Sequence, residues 1–485
     1  MTNNALSNIN KNKVSLSKLE YQYSTGKKIQ RPSEDPVVAV RALKLRKNLD
    51  ELNQYYERNI PDAKSWMDTT EGALTNINTT LTTIYQQFTQ GSNDALSTTD
   101  RVAIIETLMQ LKNQIYQEGN TNYAGRYVFT GYKTDTSLTF TEDTSDTVYN
   151  IKETFAGSDI TPLSVVTGGS TLSDYDPTTS NGTSFTETPQ TAQVYRLRLA
   201  YDNLVQPTTD QIQIMVDGNP VDVNVVASGD KDAYVFAAGD DTPRFIADTG
   251  EIIFPKSQFD QFSTAKTIEV SYTKDEFKQY DLRPEHYFEC DATGKAAGSQ
   301  TVFYKNEDQQ IQYEINFGQK LTINTQAKDA FTHTMAREIN ELYNVVLKVE
   351  DIENQISAVT DKLKEANISD DQKEALTNLK EALEVELVLQ EKIMQETFSK
   401  GMTTTEQVQN NMNASVAELG SKYVRLELVE DRLSTQQTEF EELLSTNEDA
   451  DLVETIIKFT AQETVYNASL SVASKVSRNT LLDFI

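Results

Sequence analysis

The sequence has very little histidine and cysteine, the residues that carry much enzyme and metal chemistry. Its 485 residues include two histidines, His286 and His333, and one cysteine, Cys290. One cysteine excludes an internal disulfide framework, and two histidines leave little material for a metal site. His286 and Cys290 lie four residues apart in RPEHYFEC, but Pro284 and the aromatic pair favour a strand or turn there. We interpret both as structural residues, and His333 as an ordinary surface or packing residue.

Short catalytic motifs are absent as well. The chain contains no HExxH, GxSxG, GxxxxGK[ST] or GxGxxG, the patterns of zinc proteases, serine hydrolases, P-loops and dinucleotide-binding turns. TGGS at 167–170 lacks the lysine and the helix that a phosphate-binding loop needs. We therefore predict no catalytic residue, no cofactor and no metal. An enzyme without a recognisable motif remains as an alternative.

Positive charge and long apolar runs are also scarce. Against 73 acidic residues there are 44 basic ones, a net charge of −29, which opposes binding to nucleic acid or to an anionic membrane. No run approaches the ~20 apolar residues of a membrane-spanning helix. The N-terminus lacks the apolar core of a cleaved secretory signal, so the sequence predicts a cytoplasmic protein or one exported by another route.

Few prolines and glycines, 11 and 19, favour long helices, and helical periodicity fills both ends of the chain. In the first 120 residues Trp66 is expected to anchor a helical core. The break between the first two helices lies in TGKKIQRPSEDPVVAV, where Gly26 closes one helix, Asp35 caps the next and Pro36 starts it. Two apolar stripes follow helical spacing: Leu6, Ile9, Leu16, Leu19 and Tyr23, and then Leu74, Ile77, Leu81, Ile84 and Phe88.

The pattern changes to a period of two between about 134 and 325, which predicts a β-rich domain. QIQIMV and VDVNVV flank DGNP at 217–220 and predict a hairpin. RFIADTGEIIF predicts a strand, a turn and a strand, and TIEVSY and IQYEINF predict further strands. The polar stretch SDYDPTTSNGTSFTETPQT is expected to be a loop.

Helical periodicity returns from about 327. The residues expected on its apolar stripes are Leu419, Leu426, Leu433 and Phe440, and then, after a break at STNEDADLVETI, Leu452, Ile456, Phe459, Tyr466, Leu470 and Ala473. A helix with one apolar stripe cannot bury it alone. We therefore expect the two helical ends of the chain to pack against each other.

Several stretches resemble the terminal regions of flagellins and hook-associated proteins. At the N-terminal end these are LSKLEYQYSTGKKIQRPSEDPVVAVRALKLRKNL and GRYVFTGYKTDT, and at the C-terminal end VRLELVEDRLSTQQTEF and LLDFI. The second and last of these resemble the hook-associated branch more than flagellin. Members usually start with a few more residues, so the resemblance implies that the first helical turn is incomplete.

The resemblance implies an α+β fold: an elongated, flagellin-like rod of long N- and C-terminal helices, packed in a coiled-coil-like manner, with an inserted β-rich outer domain. It also implies five segments. These are an N-terminal assembly helix at 1–30, a helical rod at 31–133, a variable outer domain at 134–326, the returning rod at 327–447, and a C-terminal assembly helix at 448–485. The acidic stretch 348–398 departs from the resemblance because it is longer than expected there, and it is expected to form an extra helical hairpin within 348–400.

The implied function is structural: a subunit at the junction between flagellar hook and filament, outside the cell, exported by the flagellar type III system. The implied partners are hook-associated protein 1 on the hook side, flagellin on the filament side, further copies in a ring, and an export chaperone on a helical terminus. Flagellin itself and, more remotely, a cytoplasmic coiled-coil interaction protein are the alternatives. The side chains expected between subunits are Leu6, Ile9, Leu16, Leu470, Val476, Leu481, Leu482, Phe484 and Ile485.

Overall fold

The computed structural model describes residues 2–207, 212–230, 233–237, 239–365 and 368–482, without the side chains of 2 and 476–482. The chain divides into two compact units. The first comprises Met1–Lys64, Gln312–Leu321 and Lys422–Ile485, and the second comprises Ser65–Ile311 and Thr322–Ser421.

Long helices occupy both ends of the chain, as the periodicity predicts. A π-helical turn, Tyr55–Asn59, joins the second helix to the third. The helices are α1 (Thr2–Thr25), α2 (Pro36–Gln54), α3 (Ile60–Gly91), α4 (Thr98–Glu118), α5 (Phe259–Ser263), α6 (Ala327–Ala330), α7 (His333–Leu363), α8 (Asp370–Glu448) and α9 (Leu452–Leu482).

The expected break after α1 is confirmed. Gly26 has a φ of +70°, in the left-handed region that favours glycine, and the Asp35 side chain accepts hydrogen bonds from the backbone N–H groups of Val37 and Val38. Pro36 occupies the first helical position, where no N–H donor is required. This short polar segment therefore ends one helix and starts the next by local chemistry alone.

In the first unit α2 packs along the last part of α8. The Gln437 side chain donates to Asn53 Oδ1 at 3.0 Å, and the Asn447 side chain donates to the Val38 carbonyl at 3.0 Å. At the start of α3, Lys64 pairs with Glu430 of α8 at 2.5 Å. Leu426 and Leu433, which the sequence predicts on an apolar stripe, are fully buried.

The helices of the second unit bury the stripe predicted at Leu74–Phe88 completely, together with Trp66. Phe88 and Phe398 meet edge to face, with ring centroids 6.4 Å apart. Each ring lies over a glycine of the opposite helix, Phe398 over Gly91 and Phe88 over Gly401, where a Cβ atom would clash with the ring. Two glycines therefore let α3 and α8 approach closely at this crossing.

The β-rich region contains two larger sheets, both antiparallel except for one parallel pair. The strands are β1 (Asn122–Tyr123), β2 (Arg126–Tyr127), β3 (Thr147–Phe155), β4 (Thr161–Thr167), β5 (Gln190–Arg198), β6 (Gln213–Val216), β7 (Asn219–Val221), β8 (Asn224–Val226), β9 (Arg244–Ile246), β10 (Glu251–Phe254), β11 (Ile268–Lys274), β12 (Glu289–Gly294), β13 (Thr301–Tyr304), β14 (Gln312–Asn316) and β15 (Gln319–Thr322). One sheet has the order β4-β5-β10-β9-β8 and the other β13-β12-β3-β11-β6-β7. Side chains from both sheets, such as Ile151 and Leu197, share one apolar core.

The predicted strands are confirmed with one correction. β9 and β10 form the expected hairpin, and DGNP turns β6 into β7 with Asp217 and Gly218 at positive φ. However, VDVNVV is not one strand, because its second half, β8, leaves for the other sheet and pairs in parallel with β9. Local alternation predicts extended chain but cannot say which neighbour completes its hydrogen bonds.

A buried ion cluster joins β5 and β10 to α7. Arg196 pairs with Glu251 at 2.8 Å and with Glu341 at 3.0 Å, while Arg198 pairs with Glu341 at 2.6 Å and also with Glu338. Burial alone would raise the pKa of Glu341, but the surrounding cations hold that pKa at about 2. The cluster therefore keeps its carboxylate charged inside the unit.

The acidic stretch 348–398 falls on the end of α7 and the start of α8. Val359 and Leu379 are buried between these two helices. Leu172, Tyr175 and Phe185, from the loop between β4 and β5, pack on the same cluster. The loop is thus anchored to the helices by three apolar side chains within a polar sequence.

The two histidines and the cysteine have structural surroundings. His286 and Cys290 lie on a short turn and on β12, as expected, and burial raises the pKa of Cys290 to about 12. His333 starts α7 and is enclosed by the rings of Tyr201, Tyr287 and Phe288. Burial lowers its pKa to about 3, so His333 is a neutral packing residue.

Candidate functional site

The two ends of the chain form one antiparallel helix pair, α1 with α9, which we call the terminal helix pair. At its base the Ala450 N–H donates to the Gly26 carbonyl at 2.7 Å, and the Lys28 N–H donates to the Glu448 carbonyl at 2.8 Å. Further along, the Asn12 side chain donates to Ser469 Oγ at 2.8 Å. The expectation that the first and last helices pack together is therefore confirmed.

The seam of the pair follows seven-residue spacing on both helices. Its half-buried or buried side chains are Ala5, Ile9, Asn12, Leu16 and Leu19 on α1 and Thr455, Phe459, Gln462, Tyr466, Ser469 and Ala473 on α9. Every second seam position on α9 is polar. Asn12 of α1 lies between two of these polar residues: it accepts a hydrogen bond from the Gln462 side chain and donates one to Ser469 Oγ. A polar residue at such a position fixes helix register at some cost in stability.

The predicted stripes are only partly correct. Ile9, Leu16 and Leu19, and likewise Phe459, Tyr466 and Ala473, lie in the seam. Exposed instead are Leu6, Tyr23, Leu452, Ile456 and Leu470. The error has a physical reason: Thr455, Gln462 and Ser469 hold the seam positions, so the larger apolar neighbours point outward.

The candidate interface residues divide accordingly. Leu6 and Leu470 are 58% and 42% exposed, whereas Ile9 and Leu16 are half-buried within the pair. For Val476, Leu481 and Leu482 the structure places the backbone in α9 but describes no side chain. Phe484 and Ile485 lie outside the described residues.

Among the described residues, ten large apolar side chains are exposed on the outer surface of the terminal helix pair, seven of them on α9. On α9 they point in several directions away from the seam. The exposed set is Leu6, Val14, Tyr23, Leu452, Val453, Ile456, Ile457, Val465, Leu470 and Val472. A helix that is apolar on most sides is normally buried, and extensive exposed apolar surface marks an interaction site. The surface can bind apolar faces of other helices.

A charged clasp holds the base of the pair. Lys27 pairs with Glu448 at 2.9 Å and with Asp449 at 2.5 Å, and Arg46 of α2 contacts both Glu448 oxygens at 2.7–2.8 Å. Burial alone would raise the pKa of Glu448, but the bonds from Arg46 and Lys27 lower it. The hydrogen bond from Lys27 lowers the pKa of Asp449. Sequence reasoning missed this clasp because its partners are about 400 residues apart.

The described residues offer little to other kinds of ligand. Within the described ranges, no three histidine, cysteine or acidic side chains come together as metal ligands would. Nor does the described part of the chain include a helix long and apolar enough to span a membrane.

Family models match both ends of the chain. Residues 1–134 match the bacterial flagellin N-terminal helical region, and residues 402–485 match the bacterial flagellin C-terminal helical region. These two segments include α1 and α9 entirely, so the terminal helix pair is formed by the two matched regions.

Individual relatives are flagellar proteins. Flagellar hook-associated protein 3 of Salmonella typhimurium is 31% identical over 27% of this chain and 41% of the relative. Flagellin of Clostridium tyrobutyricum is 36% identical over 25% of this chain and 32% of the relative. The chain thus spans less than half the length of these curated relatives.

Among solved structures, FlgL of Xanthomonas campestris is 12% identical, covers 83% of this chain and 99% of that chain, and has a TM-score of 0.31. That score is too low to show a common fold. The likeness rests on the two ends of the chain, residues 1–134 and 402–485, which are similar to the N- and C-terminal helical regions of bacterial flagellin.

Proposed function

We propose that this protein is a structural subunit of the bacterial flagellum that forms the junction between hook and filament. The observation that carries the proposal is the terminal helix pair, in which two flagellin-type regions join and leave a wide apolar surface in water. In the proposed role, helices of neighbouring subunits cover that surface. Leu6 and Leu470 lie on it, and we propose that Val476, Leu481, Leu482, Phe484 and Ile485 extend it.

Burial of these side chains would supply the free energy of assembly. Each large apolar side chain contributes roughly 1.5–3 kcal/mol when it is fully buried, offset by the ordering of the terminal backbone. Ile9 and Leu16 are already half-buried in the seam. We therefore assign these two to holding the pair together and the exposed residues to binding neighbours.

The proposed partners follow from the same role. Hook-associated protein 1 would meet the subunit on the hook side, flagellin on the filament side, and further copies within a ring. Export by the flagellar type III system would precede assembly, with a chaperone covering a helical terminus. A single cysteine is compatible with passage of an unfolded chain, because no internal disulfide can form.

Flagellin is the second candidate, favoured by the 36% identity to a Clostridium flagellin. Immunogold labelling of intact cells separates the two. Label confined to the hook–filament boundary supports the junction role, and label along the whole filament supports flagellin. Absence of label outside the cell would exclude both.

Removal of residues 475–485 tests the terminal surface itself. We expect the truncated protein to keep Trp66 buried, because Trp66 belongs to the second unit, but to be lost from flagella. The matched control is Val388→Ser, which removes an exposed apolar side chain from the second unit. Complete flagella built from the truncated protein would contradict an assembly role for the tail.

A further inference from the structure

One segment of this acidic chain is basic. Residues 27–47 contain seven basic and two acidic side chains, in a chain of net charge −29. The segment includes the first three turns of α2, whose outer face exposes Val37, Val40 and Leu43. Arg41 and Lys44 are exposed beside them. We call these five residues the cationic face.

A second segment carries the opposite charge. Residues 433–449 contain five acidic side chains and no basic one. Two of the five, Glu448 and Asp449, belong to the clasp with Lys27 and Arg46. The remaining acids are exposed on the outer surface of α8 beside an exposed leucine. These four residues, Glu439, Glu441, Glu442 and Leu443, are called the anionic face.

The two faces point away from the contact that α2 and α8 make within one copy. That contact uses other sides of the helices, where Ala39 and Ala42 of α2 and Glu448 of α8 are buried. The Asn447 side chain donates there to the Val38 carbonyl at 3.0 Å. The outer faces therefore stay in solvent.

The charges on these faces are also unpaired. Among the described residues, no opposite charge lies within 4 Å of Arg41, Lys44, Glu439, Glu441 or Glu442, although α2 and α8 each carry pairs elsewhere. Both faces combine exposed apolar side chains with charge of one sign. Such a combination is typical of a docking surface for a partner of opposite sign.

We propose that the cationic face of one copy binds the anionic face of a second copy. In this pairing the apolar side chains of the cationic face contact Leu443 of the second copy. Arg41 and Lys44 then lie close to the acidic side chains of α8 in that copy. Because the two faces differ, a pair of copies still has one cationic face and one anionic face free, one on each copy. Such a heterologous contact continues around a ring or along a helix. The inference deepens the proposed junction function, on which its biological meaning rests, by naming the surfaces of the ring contact.

Charge exchange tests the pairing in purified full-length protein. The first variant is Arg41→Glu with Lys44→Glu, the second is Glu439→Lys with Glu442→Lys, and the third combines all four changes. Sedimentation equilibrium measures self-association at low and high salt. We expect each two-site variant to weaken self-association by about tenfold or more, the four-site variant to restore it, and salt to weaken the wild type.

A control removes charge elsewhere on the same surface. Glu427→Gln changes an exposed acid of α8 outside the anionic face, and it should leave self-association unchanged. The proposal is overturned if the two-site variants associate like wild type, if the four-site variant fails to recover, or if the wild type remains monomeric up to about 1 mM.

Direct contact is read by zero-length coupling of amines to carboxylates. In a mixture of ¹⁵N-labelled and unlabelled protein, mass spectrometry should find Lys44 linked to Glu439, Glu441 or Glu442 in mixed-isotope pairs. Links found only within one copy would overturn the proposal. Because these measurements use purified protein, their failure leaves the immunogold test of the junction role untouched.

Discussion

The two compact units of the chain differ in how many of their large apolar side chains are exposed. Of the 23 large apolar side chains that are exposed among the described residues, 17 belong to the first and smaller unit. The second unit instead closes apolar cores between its sheets and between its helices. The second unit therefore buries most of its large apolar side chains internally, whereas the first unit leaves more of them exposed.

Charged groups show the same contrast. In the second unit Arg196, Glu251 and Glu341 are paired while buried, where an unpaired charge would be very costly. In the first unit the clasp of Lys27 and Asp449 is partly exposed, and screening by solvent makes such pairs weak. Changes inside the second unit should therefore alter stability, and changes on the first unit should alter binding.

The largest effect is expected at the buried ion cluster. Glu341→Gln keeps the shape of the side chain but leaves Arg196 and Arg198 short of negative charge, which should cost about 3–5 kcal/mol of unfolding free energy. Fluorescence of Trp66, the only tryptophan, follows the second unit during denaturation. Glu439→Gln, an exposed acid of the first unit, is the control. A decrease in unfolding free energy of less than about 1 kcal/mol would show that the cluster contributes no more than an ordinary surface ion pair.

Glu153 should give the second unit a pH dependence of its own. Burial raises the pKa of Glu153 to about 7, so the folded state prefers the protonated form. Its contribution is fully present below the ordinary value near 4.5 and is lost as the pH rises through 7. Glu153→Gln should remove this loss, and stabilise the protein at pH 8 by about 3 kcal/mol relative to its effect at pH 4.

The same denaturation experiment, run at both pH values, measures this difference. Asp176→Asn, on an exposed carboxylate of the loop between β4 and β5, is the control, and should show no such gain at pH 8. An equal effect of Glu153→Gln at both pH values would contradict a carboxyl group that ionises near neutrality.

The crossing of α3 and α8 should be intolerant of small additions. Gly401→Ala places a methyl group against the Phe88 ring, and overpacking of this kind costs about 1–3 kcal/mol. Gly420→Ala on the same helix meets no atom within 4 Å and should be neutral or stabilising by up to about 1 kcal/mol. Trp66 fluorescence during denaturation compares the two variants. Equal stabilities would show that the rings can move aside.

In the first unit, Asn12→Leu should raise the stability of the terminal helix pair by about 1 kcal/mol while weakening its register. Thermal unfolding followed by circular dichroism measures the stability. Spin labels at Lys18 and Thr464, in a cysteine-free background, report the register. Wild type should give one distance, and the variant a broadened or double distribution. Asn10→Leu, on the exposed side of α1, should change neither.

The smallest effect on stability is expected on the outer surface of the terminal helix pair. Val453→Ser and Ile457→Ser together should change the unfolding free energy by less than about 0.5 kcal/mol, because both side chains are already exposed. The same change should strongly reduce incorporation into flagella if the surface is an assembly interface. Loss of stability without loss of incorporation would show that these side chains of the first unit contribute to folding and not to binding.

Much of the helical framework follows from the sequence because its signals are local. Gly26, Asp35 and Pro36 end and start helices through their own backbone and side-chain chemistry. The stripe ending at Phe88 has one apolar face, and that face is buried. The fold class, long terminal helices around a β-rich centre, was predictable for the same reason.

The residues that form the seam of the terminal helix pair were harder to predict from the sequence. Leu470 is more apolar than Ser469, yet Ser469 faces the seam because it meets Asn12 of α1. A single helix does not reveal which polar residue will find a partner on another helix. The repeat itself was present in the sequence, since Thr455, Gln462 and Ser469 are seven residues apart.

By itself, the sequence determined where helices and strands form and which ends of the chain belong together. Periodicity and capping act over a few residues, so the sequence alone displays them. Only the tertiary structure decided which side of α9 stays exposed and that Arg46 binds Glu448 in the clasp. It also decided that three apolar side chains anchor a polar loop to α7 and α8. Those outcomes depend on contacts between residues hundreds of positions apart, where the free energy of packing and pairing selects among faces that local pattern leaves equivalent.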